Sequence, residues 1–237
     1  MDIVSDTLQV TEYFSHPHSN SAFTINIQAV SDSLFVFFQG TRTGGQIILT
    51  DNTGQVLDTI AYPVLDDPEL GKDILVNFNV SMALSPCGNW LYVQNYRYNN
   101  IRKYSIAENK MALAETYTLL EPKYTIEKGK EKMDPENVIM HAGLFAGEKY
   151  IYMPACPETL KDSRERDRKA EEAGQRGSST PDTNSYLLVF DYDFNLVESY
   201  SCDAQFSWVV PGPDPAIIYA ADMENHCLRK YTLTGLN

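Results

Sequence analysis

The stretch YLLVFDYDFNLVESYS, Tyr186 to Ser201, reads as two β-rich runs joined by a turn at Asp193 to Asn195. Two earlier stretches have the same form. IILTDNTGQVLDTIAY runs from Ile47 to Tyr62 with its turn at Asn52 to Gly54, and IRKYSIAENKMALAETYTL runs from Ile101 to Leu119. The second strand of each hairpin carries an acid, then Ser or Thr, then an apolar residue: Asp58-Thr59-Ile60, Glu115-Thr116-Tyr117 and Glu198-Ser199-Tyr200. Such period-2 alternation gives a strand one dry face and one wet face.

Working outward, each hairpin is preceded by two further strand-like runs. SLFVFF (Ser33 to Phe38), WLYVQNY (Trp90 to Tyr96), YIYMPA (Tyr150 to Ala155) and AIIYAAD (Ala216 to Asp222) take the second place in a four-stranded unit. FTINIQ, LVNFNVSMAL, NVIMHAGLF and FSWVV take the first. Four strands recurring in the same order predict an all-β fold, a β-propeller with four four-stranded blades, whereas a β-sandwich does not explain the recurrence. The last unit ends at CLRKYTL and TGLN without an outer strand, and LQVTEYFS (Leu8 to Ser15) is the spare. Pairing the two removes an exposed edge, so the expected ring is closed by the N-terminal strand.

The segment IYAADMENHCLRKYTL resembles an NHL-type or YVTN-type propeller repeat, and LYVQNYRYNNIRKYSI echoes it. The longer stretch from Tyr150 to Leu233, with its YIY strand, charged insertion, LLVFDYDFNLVESY hairpin and final LRKYTL, resembles the TolB-like six-bladed propellers of Bacteroidetes. That resemblance implies six blades and an export or lipoprotein signal. The chain shows four blades, so it is read either as part of a six-bladed propeller or as a shortened relative. It supplies no catalytic motif to carry over.

The 237 residues carry a formal net charge of −13, with 43% hydrophobic and 11% aromatic residues, which suits a packed globular domain spanning 1–237. So acidic a chain, without a basic stripe, points away from nucleic acid and anionic lipid. MDIVSDTLQVTEYF has no basic run followed by an apolar one, and no stretch has the roughly 20 apolar residues of a membrane span. A periplasmic or outer-membrane lipoprotein location is expected if an export signal precedes this chain, and a cytoplasmic one otherwise. Cys87, Cys156, Cys202 and Cys227 form no C-x-x-C pair and read as ordinary buried thiols.

Loops from second to third strand and from blade to blade gather on one propeller face, and here those are the long ones. They include Gln39 to Gly45, Asn95 to Asn100, the inter-blade segments PVLDDPELGKD and EPKYTIEKGKEKMDPE, and a charged, flexible insertion at 160–184. Within the insertion, Asp162 to Glu172 suits a short exposed helix with pairs such as Asp162 with Arg166.

Candidate binding residues on the long-loop face are Arg42, Arg97, Tyr98, His141, Glu224 and His226. Arginine beside aromatic rings is a common contact composition. His141 falls in an innermost strand, where a polar residue can face the channel. His16 and His18 form an H-x-H whose use as a metal site needs a third ligand such as His141 or His226; polar loop residues are the simpler reading, and no metal or cofactor is expected. No G-x-S-x-G, H-E-x-x-H, Walker loop or dinucleotide fingerprint occurs. The leading expectation is a non-enzymatic binding or scaffold propeller of the cell envelope, taking a protein or a glycan on the long-loop face. The alternative is a propeller hydrolase or lactonase with a divalent metal held by acidic side chains at the central channel.

Overall fold

The structure, a computed structural model, describes residues 23–41, 44–62, 80–140, 143–174, 185–204, 208–222 and 227–236. Blade I is the antiparallel sheet β1 (Phe23–Ser31), β2 (Leu34–Thr41), β3 (Gly44–Asp51) and β4 (Val56–Tyr62), in that order. Blade II repeats it with β5 (Val80–Leu84), β6 (Trp90–Asn95), β7 (Asn100–Ala107) and β8 (Lys110–Thr118). A hairpin follows, β9 (Tyr124–Glu127) and β10 (Lys130–Met133), then β11 (Val138–Ile139), β12 (Phe145–Ala146), β13 (Ile151–Ala155), β14 (Glu158–Thr159) and helix α1 (Leu160–Glu172). β15 (Ser185–Phe190) and β16 (Leu196–Cys202) complete blade III in the order β12-β13-β15-β16. Blade IV has three strands among the described residues, β17 (Val209–Pro211), β18 (Ile217–Asp222) and β19 (Cys227–Thr232). The expected closing strand, Leu8 to Ser15, lies outside the described residues.

The repeat seen in sequence recurs in backbone detail. Each outer hairpin has a register shift at the same depth, between Leu49 and Thr50, Lys103 and Tyr104, and Val189 and Phe190. Two of the outer turns use one device. Asp51 Oδ1 accepts from the amides of Thr53 and Gln55 at 2.8 and 2.9 Å, and Asp191 Oδ1 accepts from those of Asp193 and Asn195 at 3.0 and 2.8 Å.

Second strands are near-continuous apolar runs because both their faces are buried between blades. In β6, Leu91 and Val93 pack toward Val36, Phe38, Ile47 and Leu49 of blade I. Tyr92, between them, turns the other way to Ile151, Met153 and Phe190 of blade III. β13 repeats the division: Tyr152 joins Leu187 and Val189 against Val209, Ile218 and Ala220 of blade IV. Full burial of each such side chain contributes about 1.5–3 kcal/mol, so these three inter-blade layers carry the fold.

Two long connections differ from the sequence expectation. EPKYTIEKGKEKMDPE holds the β9–β10 hairpin, turned at Lys128 (φ 55°) and Gly129 (φ 72°), and it buries Met133 in the core between blades I and II. The helix expected in the insertion is present, with Thr159 as its N-cap, but it is docked: Leu160, Ser163 and Ala170 are buried. Arg166 does not pair with Asp162. It reaches back to Glu158 at 3.3 Å, a carboxylate 3% exposed, because a buried anion attracts the nearby cation more strongly than a solvated one. Asp162 instead accepts from the Thr159 hydroxyl at 2.6 Å. Residues 175–184 of the insertion lie outside the described residues.

Candidate functional site

The innermost strands β1, β5, β12 and β17 are successive neighbours, β1 beside β5, β5 beside β12 and β12 beside β17, and line the central channel. An innermost strand has one edge without a β partner, and its main-chain groups there need other partners. Blade I supplies them to blade II. A register shift between Ile25 and Ile27 puts Asn26 at φ 53°, and its Nδ2 donates to the Val80 carbonyl at 2.8 Å. Asparagine tolerates this left-handed backbone better than most residues. Two positions on, Gln28 Nε2 donates to the Met82 carbonyl at 3.3 Å. Blade II then holds blade III, with Ser81 Oγ accepting from the Leu144 amide at 2.9 Å.

These contacts frame a cavity of about 500 Å³ at the channel, bounded by Asn26 and Gln28, Ser81 and Met82, Tyr96, Gly143 to Phe145, and Trp208. All four blades contribute. The Trp208 side chain is 65% exposed, with the Phe145 ring 6.0 Å away. Burial pushes the Tyr96 hydroxyl above its ordinary pKa, so it is a neutral donor at physiological pH. Asn26 and Gln28 spend their NH2 groups on β5, and their amide oxygens have no partner among the described residues. The cavity therefore combines amide acceptors, hydroxyls and aromatic faces, and its described lining carries no charge.

Of the six candidate residues, Arg97 and Tyr98 are described. Tyr98 is 1% exposed within the core between blades I and II, and its hydroxyl donates to Glu131 Oε2 at 2.6 Å. Burial, and then that bond, raise its pKa. Arg97 is half-buried, with its Nη2 3.3 Å from Glu131 Oε1. Glu131 comes from the β9–β10 hairpin, so the β6–β7 loop is clasped by its neighbour. Arg42, His141, Glu224 and His226 lie outside the described residues, as do His16 and His18; Gly143, two residues after His141, lines the cavity. Asn26, Gln28, Ser81 and Trp208 were not singled out from sequence. The alternation of Asn26 and Gln28 along an innermost strand was the available signal.

No family model and no curated protein sequence matches this chain. Solved structures do. The β-propeller domain of Cps50 (Swd1) from Myceliophteria thermophila is similar with a TM-score of 0.51 at 12% identity, over 90% of this chain and 55% of that one. The periplasmic gluconolactonase PpgL of Pseudomonas aeruginosa is similar with a TM-score of 0.51 at 10% identity, over 92% of this chain and 52% of that one. The fold is that of a β-propeller. The chain spans about half the length of these two structures. No helix among the described residues is long and apolar enough to cross a membrane.

A divalent metal at the channel, as in the hydrolase alternative, needs several carboxylate or imidazole ligands converging at one point. Among the described residues no group of three His, Cys, Asp or Glu is placed to hold a metal ion. The lining amides and single serine do not make such a site.

Proposed function

We propose that this chain is a binding propeller that takes a neutral glycan at the mouth of its central channel. The observation that carries this reading is the exposed Trp208 beside Phe145, above a cavity rimmed by Asn26, Gln28 and Ser81. A pyranose ring offers an apolar face to an indole and hydroxyls to amide and hydroxyl groups, so this mixture suits it. Arg97, on the same long-loop side, belongs to the outer rim of the proposed surface. A TolB-like placement within the propellers and a cell-envelope setting are part of the same proposal, supported by the motifs between Tyr150 and Leu233.

The test is calorimetric titration of the protein with a panel of neutral hexasaccharides, beside a lactone-hydrolysis assay with and without added calcium or zinc. Binding to at least one hexasaccharide that is lost in Trp208→Ala is the expected result. Lactone turnover dependent on metal, without glycan binding, overturns the reading in favour of the hydrolase.

A further inference from the structure

Second-strand tyrosines connect blade II to blade III and blade III to blade IV. Tyr92 of blade II donates to the main-chain carbonyl of Tyr192 in the outer turn of blade III at 2.5 Å, and Lys103 Nζ reaches the same carbonyl at 2.8 Å and Asp193 Oδ1 at 3.2 Å. Tyr92 and Lys103 are cross-strand partners in the register of β6 and β7. Tyr152 of blade III donates to the Pro215 carbonyl of blade IV at 2.5 Å. The third member of the series is Tyr219, whose cross-strand partner in β19 is Lys230. Blade IV thus repeats the tyrosine and lysine of blade II in the same register. Tyr92 is 0% exposed, whereas Tyr219 is 38% exposed and Lys230 is exposed, and neither has a hydrogen-bond partner among the described residues. Val210 and Leu228, which share this face, are 63% and 77% exposed. The trailing face of the same blade is buried against blade III.

We infer that this face of blade IV docks a second copy of the chain, through the outer turn of its blade I. The observations define what the tyrosine and lysine need: a main-chain carbonyl in an outer turn beside a hydroxyl or carboxylate, as Tyr192 and Asp193 provide for blade II. The turn Asp51 to Gln55 is built by the same aspartate device as the Asp191 to Asn195 turn, and its Asn52 and Thr53 are exposed. Val56, directly after it, is a 42% exposed apolar residue that matches Val210 and Leu228. The sheet behind the turn is already closed, with Phe37 at 4% and Ile48 at 1% exposure, so the turn is the part of blade I open to contact. An acidic turn also suits Lys230 on a chain whose net charge is −13. Blade IV on blade I is a heterologous contact, and two of them close a pair about a two-fold axis. This inference is independent of what the channel binds.

Sedimentation velocity on the full chain tests it, with Leu228→Glu and Val56→Glu as separate variants, both exposed positions whose unfolding temperatures are checked alongside. The expected result is a dimer at about 0.1 mM, a concentration that populates even weak pairs, with each variant monomeric and a mixture of the two variants forming pairs again through the remaining intact contact. A monomeric wild-type protein at that concentration overturns the inference. So does a dimer indifferent to Leu228→Glu, or one sensitive to Leu228→Glu and not to Val56→Glu, and a ladder of larger species overturns the closed pair.

Discussion

The hydroxyl of Tyr152 in blade III donates to the carbonyl of Pro215 in blade IV at 2.5 Å, and the ring carrying it is 0% exposed. The bond joins two blades, as the Tyr92 bond to the Tyr192 carbonyl joins blades II and III. Removing only the oxygen tests it. Tyr152→Phe keeps the packing and strands the Pro215 carbonyl, so it lowers unfolding free energy by about 1 kcal/mol in urea with an unchanged denaturant slope. Tyr92→Phe costs less, because Lys103 still serves the Tyr192 carbonyl, and Tyr219→Phe leaves the monomer unaltered.

The buried hydroxyl of Tyr152 also predicts alkaline behaviour. Burial, and then the neighbouring Tyr150, push the Tyr152 hydroxyl from 10.0 up to about 12. A group whose pKa is higher in the folded protein stabilises it fully below the unfolded value, and that stability is lost as pH rises through the folded value. Stability measured by urea unfolding therefore falls between pH 10 and about 12, and the fall is shallower in Tyr152→Phe. An identical slope in the variant rejects this assignment.

At the channel, Asn26 combines a left-handed backbone with the bond to Val80. Asn26→Gly relieves the backbone and loses only the bond, whereas Asn26→Ala loses both, so the alanine variant is the less stable by about 1 kcal/mol. Thermal unfolding of the two variants side by side measures the difference.

Helix α1 separates docking from charge. Leu160, 9% exposed in the core between blades I and II, costs about 2–4 kcal/mol when cut to alanine. Arg164→Ala, on the solvent side of the same helix, leaves the urea midpoint unchanged. Equal losses from the two would mean that the helix is held by its surface charges.

The blades were legible because second strands such as WLYVQNY are buried on both faces, and so read as unbroken apolar runs at a regular spacing. The β9–β10 hairpin was not, since its strands are four residues each and β10, KEKM, is mostly charged; the Lys128-Gly129 turn was the strong local signal. Tyr98 looked like a contact residue because arginine and tyrosine adjoin it in NYRYNN. It is buried in the core between blades I and II, and its hydroxyl is taken by Glu131, 33 positions away, which no local pattern reveals. Arg166 illustrates the same limit from the other side: helical spacing offered Asp162, and the tertiary fold placed Glu158 closer to its guanidinium. The channel site was half legible, as the polar alternation of Asn26 and Gln28 marks an unusual first strand, whereas the convergence of four blades on Trp208 exists only in three dimensions.

The central claim is that the channel mouth is where the ligand sits, and Trp208 reports on it directly. The chain has two tryptophans, and Trp90 is half-buried under the Lys103 ammonium at 4.7 Å, so Trp90→Phe leaves Trp208 as the sole emitter. In that variant the emission is that of an exposed indole, and titration with whichever hexasaccharide binds by calorimetry shifts it to shorter wavelength with the same dissociation constant. A hexasaccharide that binds while leaving the Trp208 emission unmoved would place the ligand elsewhere and contradict the account.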